Sequence, residues 1–280
     1  MIAKNGVPCL ALECLACCLV LLIVAPAGHS EAQTEGPVPA LSAEVRARVL
    51  QICETRFQNV LRFYRERLDG SADEEFLDEV NRNARLPITA SDEEILLDAG
   101  QRLLAQPVKD WEIIFRIAGA LSNVPTNTRV VQFMSRILHQ EVRRPPETYE
   151  LGAYIQAISA LAAQGTDEAL QVVYETAILA VHQTPGLLVH SGAPEDAAKF
   201  RLQMARNGWS SIRNCVRRDL VLPLMKKVAE QYPLDSELRP EVAFNLWAAE
   251  RIEAGLRWKS VSDYGGPAAP DNPHKKDDLR

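Results

Sequence analysis

This chain has no glycine-rich phosphate loop. Only 14 of its 280 residues are glycine. Neither a Walker loop nor a G-x-G-x-x-G after a strand occurs, so nucleotide cradling by backbone amides is not expected. The G-x-S-x-G turn that presents a serine nucleophile is missing too, as are H-E-x-x-H for zinc and the D-x-[DN]-x-[DN]-G calcium loop. An excess of positive charge is also lacking. The net charge of −6 has the wrong sign for neutralising phosphate, so no nucleic-acid partner is expected. Strand signals are absent between residues 110 and 182, which show no sustained alternation and no Asn-Gly or Asp-Gly between β-branched runs. No cofactor or metal site and no catalytic set emerges from these tests.

Cysteine is scarce outside the N-terminus. Lys4 begins a short positive region, Cys14 to Val24 is an unbroken apolar run, and Ala25-Pro26-Ala27 and Ser30-Glu31-Ala32 both fit a small-x-small cleavage site. Residues 1–32 therefore read as a signal peptide, removed after Ala27 or Ala32, which places the mature protein in the periplasm or outside the cell. The rival reading is an uncleaved membrane anchor over residues 6–27, although Glu13 interrupts it and the clean run is short for a bilayer. Cys14-Leu15-Ala16-Cys17 has no following His for haem and no second pair for zinc. Cys53 and Cys215 remain after cleavage. An oxidising compartment would favour a disulfide between them, whereas their places on apolar helical faces favour two small core residues. Both readings stay open.

The remaining residues carry helix punctuation. A flexible leader over 33–41 precedes a helix capped by Ser42, whose apolar stripe runs through Val45, Val49, Ile52, Phe57 and Val60 to Leu68. Ser71-Ala72-Asp73-Glu74 and Ser91-Asp92-Glu93-Glu94 match the capping box, so their acids read as helix starts rather than a catalytic pair. Asp110 caps the next helix, Pro125 breaks the chain, and residues 126–128 cap the helix after it. Gly165 suits a left-handed stop, and Thr166 caps a helix expected to reach Val181. His182 and His190 lie in a long loop that offers too few ligands for zinc. Pro194 opens a helix that Gly208 is expected to end, Pro223 kinks or divides the next, and Arg239-Pro240-Glu241 starts the last. Arg213, Arg217, Arg218, Lys226 and Lys227 make the most basic stretch, expected to face acids near residues 73–98. Residues 259–280 read as a disordered tail.

Two stretches repeat. Ile113 to Leu121 returns forty residues on as Ala153 to Leu161, and the turn Val124-Pro125-Thr126-Asn127 returns as Gln164-Gly165-Thr166-Asp167. This period of paired amphipathic helices resembles the HEAT and armadillo class. The resemblance implies an all-α fold: a short HEAT-like stack of antiparallel helix pairs with irregular helical caps. The repeat domain spans 42–258, with its clearest units at 110–144 and 148–182.

Such repeats usually present an extended surface to another protein, so the expected function is an exported, non-enzymatic binding or scaffold protein with a protein partner. Spacing from the apolar stripe puts Gln132, Arg136, Gln171 and Glu175 on the contacting face of the second helices. Two alternatives remain. One is a helical hydrolase of cell-wall or extracellular glycans using a carboxylate pair. The other is a membrane-anchored envelope assembly factor, should residues 6–27 be retained.

Overall fold

The computed structural model describes residues 39–67, 86–142, 146–175, 193–213, 215, 217–231 and 238–255, all within the unit Pro39–Arg280. Among these residues the fold is all-helical, with nine helices and no strand. We label them α1 (Ala43–Arg67), α2 (Ala90–Ala105), α3 (Trp111–Leu121), α4 (Thr128–Leu138), α5 (Thr148–Gln164), α6 (Asp167–Val173), α7 (Pro194–Arg213), α8 (Arg218–Gln231) and α9 (Arg239–Glu253). The signal or anchor over 1–32, the 71–74 capping box, the His182 and His190 loop and the 259–280 tail lie outside the described residues.

Most helix starts follow from side chains that satisfy free amides. The hydroxyl of Ser42 accepts from Val45 N at 3.2 Å, Asp110 Oδ1 from Ile113 N at 3.2 Å, and the Thr166 hydroxyl from Ala169 N at 3.1 Å. Two expectations are corrected, and the 126–128 cap is narrowed to one residue. The cap of α2 is Thr89, which accepts from Asp92 N at 3.1 Å, while Ser91 sits inside the first turn. The cap before α4 is Asn127, whose Oδ1 accepts from Arg129 N at 2.9 Å and Val130 N at 3.4 Å. Gly208 does not end α7: Met204, Ala205, Trp209 and Ile212 are all 0 % exposed and continue one buried stripe to Arg213, so core burial outweighs the local stop signal. Pro223 likewise lies within a single helix, α8. Gly165 is left-handed at φ 65°, a conformation glycine adopts without a Cβ clash, and there it ends α5. Helix α6 gives way to a wider turn at Tyr174 and Glu175, and the rest of its expected course to Val181 lies outside the described residues.

Two series of contacts organise the packing. Helices α1, α3, α5 and α7 touch in succession, as do α2, α4 and α6, and α5 also packs on both α4 and α6. Helix α9 closes on α7 and α8. Helix α4 buries one stripe, Val130, Val131, Phe133, Met134, Ile137 and Leu138, as its amphipathic spacing requires. Helix α5 buries more of its circumference, including Ala153, Tyr154, Ala157, Ile158, Ala160 and Leu161, because neighbours surround it. A Cβ on Gly100 of α2 would lie 2.5 Å from the Phe133 ring, so glycine here lets α4 approach α2 closely.

Buried polar groups tie the turns together. Gln164, 3 % exposed, accepts from Asn127 N at 2.7 Å and donates to the Val124 carbonyl at 3.2 Å. Thr126 Oγ1 donates to the Gln164 carbonyl at 3.2 Å, and Asn127 Nδ2 donates to Glu93 Oε1 at 2.8 Å. The turn after α3 is thus bonded to the end of α5. Arg56 of α1 plays a similar role, donating to the carbonyls of Ala120 at 3.2 Å, Pro87 at 2.8 Å and Leu86 at 3.0 Å. It joins α1 to the C-terminal turn of α3 and to the strand-like entry of α2.

Cys53 and Cys215 are both buried, and no disulfide joins them in this structure. Arg46 pairs with Asp110, and Arg48 with Asp92 at 2.9 Å, so part of the arginine face of α1 meets acids at the starts of α2 and α3. In the basic stretch, Arg217 pairs with Asp219 at 2.8 Å and Lys226 with Glu250 of α9 at 2.9 Å, while the acids at 73–85 expected to face it lie outside the described residues.

Candidate binding cleft

The series α1, α3, α5 and α7 encloses a cleft of about 800 Å³. Its wall on α1 is Cys53, Glu54, Arg56, Phe57 and Val60. Its floor comes from Phe115, Arg116, Gly119 and Ala120 of α3, Ser122 and Asn123 just after it, and Tyr149, Gln156, Ser159 and Ala163 of α5. Asn207, Ser210 and Ser211 of α7 form the far wall. Most of these positions lie beside the buried stripe of their own helix, while Cys53, Arg56 and Ala120 are themselves buried at its edge. In α3, for example, Phe115, Arg116 and Gly119 fall between the core positions Ile113, Ile114, Ile117 and Ala118.

The lining carries exposed aromatic rings on α1 and α5. Phe57 is 55 % exposed and Tyr149 44 % exposed, and the rings of Phe115 and Tyr149 lie 5.9 Å apart at 44°. Phe115 is fixed from below, since a Cβ on Gly152 would come within 2.9 Å of its ring. Between α5 and α7 the lining is small and polar, with the Ser159 and Ser211 hydroxyls 3.2 Å apart.

The charged groups in the cleft are engaged in structure. Arg56 is bound to three carbonyls, and the burial that removes it from water lowers its pKa. Arg116 bonds Glu112 one turn earlier at 2.8 Å, and this hydrogen bond raises its pKa. Glu54 accepts from Gln58 at 2.8 Å and is the one carboxylate among the described lining residues. The thiol of Cys53 is pushed up to about 12 by desolvation, so it is protonated at neutral pH and unsuited to nucleophilic attack. Among the described residues no group of three or more His, Cys, Asp or Glu is placed to hold a metal ion.

The four residues expected to form the contacting face lie elsewhere. Gln132 and Arg136 are exposed, one turn apart on α4, and Gln171 is exposed on α6. Glu175, half-buried in the turn after α6, accepts a hydrogen bond from Gln171 Nε2. None of the four lines the cleft. Sequence reasoning missed the cleft because its residues carry no reactive signature. The usable signal was Gly119, a glycine inside a strongly apolar helical stretch. His139 bonds the Ser135 carbonyl at 2.6 Å, as an ordinary helix-end histidine does.

No helix among the described residues is long and apolar enough to cross a membrane. Comparison of the chain with protein-family profiles, with curated proteins and with solved structures finds no match.

Proposed function

We propose that this chain is a non-enzymatic binding protein built as a short HEAT-like stack of antiparallel helix pairs with irregular caps. The observation that supports it best is the cleft. Four successive odd-numbered helices contribute to it, and its titratable groups are held by carbonyls, by neighbours on the same helix or by desolvation. A surface so arranged acts by shape and hydrogen bonding rather than by proton transfer. The bond from Gln164 to Val124 favours the repeat reading as well, because the two residues occupy equivalent places in the repeated turns. A protein partner is proposed for the outer face carrying Gln132, Arg136, Gln171 and Glu175. Residues 1–32 act as an export signal in this proposal.

Glycan hydrolysis would need two carboxylates across the cleft, and Glu54 alone among the described lining residues supplies one. A pull-down with the purified protein tests the proposal, using Arg136→Glu to disturb the outer face. Recovery of one partner from the exported fraction, lost with Arg136→Glu, is the expected result. Failure to recover any partner, or glycan cleavage by the purified protein, would sink it. N-terminal sequencing of the native protein checks the signal, with a start at Gly28 or Gln33 expected.

A further inference from the structure

We infer that the cleft between α1 and α7 is a carbohydrate site, taking a neutral glycan chain against Gly119 with sugar rings on Phe57 and Tyr149. The inference rests on reading the cleft as non-catalytic and goes further by naming its ligand class.

Gly119 is the first observation. Glycine inside a helix destabilises it relative to alanine. The surroundings of Gly100 and Gly152 account for both, because a Cβ would strike the rings of Phe133 and Phe115. A Cβ on Gly119 would meet nothing within 4 Å, so no internal contact accounts for it. It lies in the floor of the cleft, where any side chain would occupy the space a ligand needs.

The chemistry of the lining is the second. Asn123, Gln156 and Ser210 line the cleft, and their side chains make no hydrogen bond among the described residues. Each both donates and accepts, as a sugar hydroxyl does. The charges are already engaged, so an anionic ligand would compete with Glu112 for Arg116. An apolar helix from a partner would leave the two amides and the hydroxyl without partners, which is costly. The exposed faces of Phe57 and Tyr149 suit the C–H faces of sugar rings, which are apolar while their edges carry hydroxyls. A cleft of about 800 Å³ falls in the range of sites for small ligands.

The test is a printed array of neutral and acidic glycans probed with the purified protein and four variants. Gly119→Trp fills the cleft from a position with open space, so circular dichroism should show an intact fold. The wild-type protein is expected to hold neutral glycans, with retention unchanged by added salt because no ion pair is made. Gly119→Trp should abolish retention, and Gln156→Ala and Tyr149→Ala should each weaken it about tenfold. Arg129→Gln, exposed on α4 and outside the cleft lining, should leave it unchanged. Binding of acidic glycans alone, or of none, overturns the inference. If the array stays blank while Gly119→Trp abolishes capture of a protein partner, the cleft is a protein site: the glycan inference fails and the binding-protein proposal survives. Glycan cleavage on the array would instead defeat both.

Discussion

Replacing Gln164 with leucine tests the bond network that joins the two repeated turns. The amide is 3 % exposed and makes two hydrogen bonds at once, from Asn127 N at 2.7 Å and to the Val124 carbonyl at 3.2 Å. Leucine preserves approximate volume but offers neither bond. Each ordinary hydrogen bond contributes about 1 kcal/mol, and a buried group left without a partner costs about 1–3 kcal/mol. Asn127 N and Val124 O would both be stranded. Asn127 also caps α4 and bonds Glu93 of α2, so slack in the turn is transmitted to two further helices. The expected loss is therefore about 2–4 kcal/mol. For a domain of this size that corresponds to a fall in Tm of roughly 5–15 °C. Urea unfolding followed by circular dichroism at helix wavelengths measures it directly. Gln164→Glu is a sharper companion, because a carboxylate still accepts from Asn127 N but faces the Val124 carbonyl with another acceptor. Its deficit should shrink as pH falls and the carboxyl gains a proton to donate. A Gln164→Leu protein less than about 0.5 kcal/mol below wild type, the scatter of neutral surface changes, would refute the idea that this amide holds the turns together.

Three further outcomes are expected. Gly119→Ala should raise stability by about 0.5–1 kcal/mol, because the Cβ meets open space and the helix loses a flexible residue; a drop in urea midpoint would contradict this. Arg56→Met should cost about 1–3 kcal/mol by stranding the carbonyls of Leu86, Pro87 and Ala120, and Arg56→Lys should recover little, since one ammonium cannot reach as a fork; equal stability of the lysine variant would count against the geometry. Cys53 has a folded pKa of about 12, raised from 9.0 by burial, so its contribution to stability is fully present below pH 9 and is lost as pH rises toward 12. Unfolding midpoints of wild type and Cys53→Ala should therefore converge across that window, and iodoacetamide should label Cys53 in the folded protein far more slowly than in urea.

Helix existence was legible wherever local chemistry and burial agree. Asp110, Thr166, Gly165 and Pro194 each mark a boundary that side-chain hydrogen bonding or ring geometry dictates without help from distant residues. Thr89 was missed because Ser91 offers the same hydroxyl two residues later with a glutamate three residues beyond it. The choice depends on where the extended Leu86-Pro87-Ile88 entry meets Arg56 and Asn123. Gly208 was misread for a related reason: the burial of Trp209 and Ile212 beyond it is a tertiary fact. The cleft was less legible still. Its lining mixes buried positions such as Cys53 and Ala120 with polar ones, and Ser210, Ser211 and Gln156 look like ordinary surface residues until α1 and α7 are seen as its two walls.

The position of α5 determines how the cleft responds to perturbation. One side of this helix places Tyr154, Ile158 and Leu161 at 0 % exposure among α3, α4 and α7, while Gln156, Ser159 and Ala163 on the other side form part of the cleft floor. The Tyr154 hydroxyl is anchored to the Gln140 carbonyl at 2.9 Å, and its ring meets Phe200 of α7 edge-on at 5.4 Å. The cleft floor is therefore the back of the most enclosed helix described, with little freedom to open or close independently of the core. Two substitutions two residues apart should separate the sides. Ile158→Ala should cost about 2–5 kcal/mol through its cavity, whereas Gln156→Ala should change stability by less than about 0.5 kcal/mol. Any loss of ligand retention in Gln156→Ala then reports the missing amide, because the floor that carried it stays where the core holds it.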